Sequence, residues 1–122
     1  MELSDEIIQA ARELGEALHH HSIVQEHLQA VEAVEQSAEL AQLEQAIQDR
    51  YRDLVQRQQA GQIVFPQEVN QFYRLQDEML RNPMIEQRAE SLKNVKTLFE
   101  AAASSISSIL TIDFVSIAGE DD

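Results

Sequence analysis

Apolar residues recur at intervals of three and four along most of the chain, the spacing of one face of an α-helix. Leu3, Ile7, Ala11, Leu14 and Leu18 form the first such stripe. Ser4 stands where an N-cap belongs, with Asp5 and Glu6 in a first turn that favours acid. Three histidines follow, and then Ser22-Ile23-Val24-Gln25, which fits the capping-box pattern. That pattern predicts a second helix, with Ile23, Val24, Leu28, Val31 and Val34 inward and His27 near the middle of the same face. Ser37 is placed to cap a third, whose stripe is Leu40, Leu43, Ile47, Tyr51 and Leu54. It is expected to run to about Ala60, with Gly61 as its stop.

After the connector "GQIVF", Pro66 fits the first position of a fourth helix, facing inward with Val69, Phe72, Tyr73, Gln76, Met79 and Leu80. Asn82 and Pro83 repeat the stop-and-start signal. The last helix carries Ile85, Ala89, Leu92, Val95, Phe99, Ala102, Ile106 and Ile109, alternating threes and fours as in a coiled-coil seam. "LTIDFVSIAGEDD" fits either a continuation of that helix or an extended tail. Short connections between long helices imply antiparallel neighbours. The fold expected is all-α: an antiparallel helical hairpin or bundle of about five helices with a long C-terminal one. Residues 1–115 are expected to form one helical domain, and 116–122 an acidic, flexible tail.

Composition agrees. Three glycines and two prolines in 122 residues disfavour a turn-rich β fold, and 43% apolar residues suffice for a core. The formal charge of −13 changes the picture more. Residues 13–49 hold no Lys or Arg but carry eight carboxylates, from Glu13 to Asp49. Such a surface repels phosphate backbones and anionic membranes, and suits either a basic partner or simple solubility. No apolar run approaches the ~20 residues that span a bilayer. The N-terminus lacks the basic and apolar regions of a signal peptide, so a cytoplasmic location is expected. Without cysteine there is no disulfide and no thiolate chemistry.

All four histidines, His19, His20, His21 and His27, lie within "EALHHHSIVQEH". Glu16 and His19 make an E-x-x-H step, the half-motif of a di-metal helical bundle. It is the only such step, and Glu16 points away from the Leu14–Leu18 stripe. Successive histidines fan out around a helix and do not converge on one ion. The plainer reading is an exposed last turn in which histidine suits the helix dipole. No metal ligand set, cofactor or small-molecule substrate is therefore assigned, and Glu16 with His19 remain weak metal candidates. His27, on an apolar face, reads as a packing histidine and a candidate for a pH-sensitive contact. There is no G-x-S-x-G and no glycine-rich phosphate loop, so no enzyme is expected.

"AAASSISSILTI", residues 101–112, contains no charge, whereas charged residues punctuate the same helix before it. Leu98, Ala101, Ser105, Ile109 and Ile112 lie on or beside a stripe adjoining the Ala102–Ile106 seam. A helix that is apolar or small on more than one side is buried on more than one side. Leu98, Ala101, Ala102, Ser105, Ile109 and Ile112 are therefore the candidate contact with another chain, or with the first helix of the same one.

"AARELGEALHHHS" reads as A-x-x-L-x-x-A-L ending at Ser22, and "SAELAQLEQAIQDRYRDL" follows as a capped long helix. With a Gly-containing turn, a fourth helix and "NPMIEQRAESLKNVKTLFEAAASSISSILTIDF", the chain resembles the YlbF/YmcA family over roughly residues 8–115. The resemblance implies a non-catalytic cytoplasmic regulator or adaptor, in RNA processing or in competence, sporulation and biofilm control. It implies partners that are proteins, in a homodimer or a hetero-complex. Some relatives assemble an iron–sulfur cluster on cysteines, which this chain lacks, so no cluster is carried over. The alternatives are a metal-binding four-helix bundle and a chaperone-like helical scaffold.

Overall fold

A computed structural model of the chain describes residues 1–119, and the described residues form an all-α fold. Six helices occur among them: α1 (Asp5–His20), α2 (Ser22–Gln36), α3 (Ala38–Gln59), α4 (Pro66–Leu80), α5 (Pro83–Leu110) and α6 (Phe114–Ala118). No strand occurs among these residues, the "GQIVF" connector included. The chain divides into two compact units, one of residues 29–89 and one joining residues 1–28 to the chain from Glu90 onward.

The helix boundaries follow from local chemistry. Ser4 Oγ accepts from Ile7 N–H at 3.3 Å and Ser37 Oγ accepts from Leu40 N–H at 3.2 Å. Asn82 Oδ1 accepts from Met84 N–H at 2.9 Å, so Asn82 and Pro83 open α5 as the sequence predicts. The start of α2 differs from expectation. His21, extended at φ −67° and ψ 138°, is the residue between the helices, and its Nδ1 accepts from Ile23 N–H at 3.1 Å. An imidazole thus takes the capping role expected of Ser22, which is already helical. Gln25 reaches back instead to the His19 carbonyl.

In the unit of residues 29–89, α3 and α4 pack against each other, and Ala30, Leu40 and Ile85 are buried. Gly61 turns the chain at φ +75°. Its N–H donates to the Gln58 carbonyl at 3.1 Å, and Gln62 N–H donates to the Arg57 carbonyl at 2.8 Å. This is the Schellman arrangement, which leaves few carbonyls of the last turn unsatisfied. Arg57 then clamps the connector. Its guanidinium meets Glu68 Oε1 at 3.0 Å and Asp53 Oδ2 at 3.4 Å, and donates to the Ile63 carbonyl at 3.0 Å. Phe65, at the N-cap of α4, has no side-chain acceptor, so Glu68 caps alone, accepting Phe65 N–H at 3.2 Å. The hydrogen bond from Arg57 holds the Glu68 carboxyl below its ordinary range, outweighing the opposite effect of partial burial.

The other unit holds α1, the start of α2, most of α5, and α6; Ser91 and Val95 are its buried residues. After Leu110 the sequence allowed either a longer helix or an extended tail. The structure takes a third course: Thr111 enters the left-handed region at φ +62°, and Asp113 caps a new short helix through Ser116 N–H at 3.2 Å. Residues 116–118 of the expected tail are helical, and Gly119 ends that helix. Residues 120–122 lie outside the described residues.

Two substitutions should move stability in opposite directions. Gly61→Ala should cost about 1 kcal/mol, because a Cβ there meets no atom but the positive φ disfavours it. Gly15→Ala, in open space within α1, should gain up to about 1 kcal/mol. Urea unfolding of both variants checks the signs. For the clamp, a depressed carboxyl contributes stability that is present above the unfolded carboxylate value and lost as pH falls through the folded one. The destabilisation of Glu68→Gln relative to wild type should therefore shrink as pH falls from 7 through about 4. A difference in urea midpoint that stays constant over that range would contradict the clamp.

Candidate interaction surface

The far end of α5 and α6 form a surface rather than a catalytic pocket. Ser107 organises it: Thr111 N–H donates to its carbonyl at 2.8 Å, and Phe114 N–H donates to its Oγ at 2.9 Å. These bonds accompany the break and border an open hollow of about 610 Å³ lined by serines, Ala103, Thr111, Ile112 and Val115, with Glu100 and Asp113 also on it. Ile109 is 84% exposed, and Leu110, Ile112, Phe114, Val115 and Ile117 are exposed with it. Scattered exposed apolar residues are ordinary, but six large ones within nine residues are not.

Of the residues the sequence nominates, Leu98 and Ala102 are half-buried, while Ala101, Ser105, Ile109 and Ile112 are exposed. The first helix leaves those four open. Conversely, α1 buries no residue, and Ile7, Ile8 and Leu14 on it are exposed, as is Leu3 just before it. Phe114, Val115 and Ile117 were not nominated; the Asp113–Ser116 cap was the signal that could have found their helix.

The histidines part company. His20 donates from Nδ1 to the Glu16 carbonyl at 2.7 Å, and the His19 and His20 rings meet edge to face at 5.4 Å. His21 serves as the cap of α2. Glu16 and His19 are exposed, and among the described residues no three metal-binding side chains converge. His27 is half-buried, its Nδ1 2.8 Å from Oγ of Ser91, a residue 2% exposed. This contact joins α2 to α5 across 64 residues of sequence.

Residues 7–111 match the family model described as control of competence regulator ComK, YlbF/YmcA. The chain belongs to the YlbF/YmcA family. No curated protein and no solved structure shows a significant match. The YlbF/YmcA match ends at Thr111, the residue at which α5 breaks, so α6 lies beyond the matched residues. No helix among the described residues is long and apolar enough to cross a membrane.

The His27–Ser91 bond sets an expectation. Either His27→Ala or Ser91→Ala should cost about 1 kcal/mol, with the double variant costing less than the sum. A double-mutant cycle in urea that gives strict additivity would show that the bond contributes nothing.

Proposed function

We propose that this YlbF/YmcA chain is a non-enzymatic cytoplasmic regulator that works as an adaptor through protein–protein contacts. It assembles as a homodimer, or with a related chain in a hetero-complex, along Leu98, Ala101, Ala102, Ser105, Ile109 and Ile112. The observation that carries this reading is Ile109, 84% exposed on an uncharged stretch of α5. Ala and Ser along the stripe allow two helices to approach closely, and Ile109 and Ile112 supply the apolar area. The family description supports a role in competence control. The same surface-based mechanism suits other developmental or RNA-processing regulation. The acidic face around residues 26–49, which holds no Lys or Arg, would steer a basic partner by charge, and His27, set against Ser91, is the place where packing would respond to pH.

Ile109→Asp tests the reading, because a carboxylate buried in an apolar contact is costly. Light scattering should show the wild type as an assembly and the variant weakened at least about a hundredfold in Kd. Far-ultraviolet circular dichroism should be unchanged. A wild type that is strictly monomeric, or a variant that assembles normally, contradicts it.

A further inference from the structure

The α3–α4 hairpin carries a second surface, independent of the α5 stripe. The chain has six aromatic residues, and four of them, Tyr51, Phe65, Phe72 and Tyr73, lie here. Tyr51 and Tyr73 flank Phe72, with ring centroids 5.8 and 5.7 Å from it. Both tyrosines are mostly in water, 58% and 60% exposed. Between the helices runs a groove of about 500 Å³, floored by Leu54, Val55, Val69 and Phe72, with no charged side chain in its lining. Tyr51 also lines a neighbouring hollow that reaches Arg52, and Tyr73 lines one that reaches Arg74. Asp77, beside Arg74, pairs with Arg81 at 3.1 Å. Among the described residues neither Arg52 nor Arg74 has an ion-pair partner. Residues 49–77 hold four arginines and four carboxylates, a local balance in a chain of −13.

An aromatic trough with an unpaired guanidinium beside each of its tyrosines is complementary to one kind of ligand. We infer that it docks an acidic amphipathic helix of a partner protein, apolar side chains against Tyr51, Phe72 and Tyr73, carboxylates at Arg52 and Arg74. A second copy fits poorly. The trough is not self-complementary, so a two-fold contact would set arginine against arginine. A head-to-tail contact with another copy's acidic helix would leave a free trough at every step and propagate. A nucleic acid is disfavoured because its charge extends beyond the two arginines onto the acidic remainder of the chain.

The test uses the full chain and a fluorescent synthetic helical peptide with Leu and Phe at i, i+3, i+4 and i+7, and Glu at both ends. Anisotropy should show saturable binding, weakened about tenfold or more by Tyr73→Ala and by Arg52→Glu with Arg74→Glu. Replacing the peptide's Glu by Lys should weaken it similarly. Binding should persist in Ile109→Asp, which separates this inference from assembly through α5, and circular dichroism of each variant confirms that it is folded. Absence of saturable binding, equal binding of the Lys peptide, or indifference to the variants overturns the inference. So does tighter binding of a single-stranded oligonucleotide, or equal binding of a peptide of residues 3–20, which would assign the trough to a second copy.

Discussion

Large apolar side chains left in water are costly, and among the described residues the segment from Ile109 to Ile117 leaves six of them exposed within nine positions. Complete burial of a large aliphatic side chain contributes about 1.5–3 kcal/mol. Five such residues and Phe114, from Ile109 to Ile117, therefore offer about 9–18 kcal/mol before discounting for what is already covered. Association costs about 4–15 kcal/mol in lost freedom. The patch alone is thus a marginal interface. It becomes adequate when the Leu98–Ser105 stripe, small and uncharged, extends the contact along the helix. The stripe residues themselves carry no charge, and a single buried, unpaired carboxylate among them would consume much of the surplus.

The hairpin of α3 and α4 answers to a different constraint. Its connector is short, and the backbone groups at both helix ends must find partners within a few residues. Gly61 supplies the left-handed turn, and the Arg57–Glu68 pair supplies the rest by bonding the Ile63 carbonyl and the Phe65 N–H. The hairpin sets Phe72 between Tyr51 and Tyr73, so an aromatic surface is formed there. The two faces proposed as contacts are of unlike chemistry, one largely aliphatic, one aromatic and edged by arginine. That division would suit a regulator that joins one kind of partner to another.

Sequence made most of this fold legible because helix ends are local. Ser4, Ser37, Pro66 and Pro83 each act within four residues of themselves, and all four stand at helix starts. The two departures have the same cause. His21 caps α2 with a ring nitrogen, a role that propensity assigns to Ser, Thr, Asp or Asn. Thr111 breaks α5 in a conformation that β-branched residues avoid, repaid by its bonds through Ser107 and the Asp113 cap. For the surfaces, the charge gap of residues 101–112 was visible in one dimension. The partner of His27, 64 residues away, and the pairing of Tyr51 with Phe72 depend on how helices pack, which periodicity does not encode.

The central claim is that the end of α5 is covered by a second chain. The chain has no cysteine, so a single Ser104→Cys places one spin label beside the stripe. Helices in contact lie about 8–10 Å apart. Pulsed dipolar spectroscopy of the labelled protein should therefore give a narrow, short intermolecular distance, lost in Ile109→Asp. Background decay alone in the labelled wild type would contradict the account.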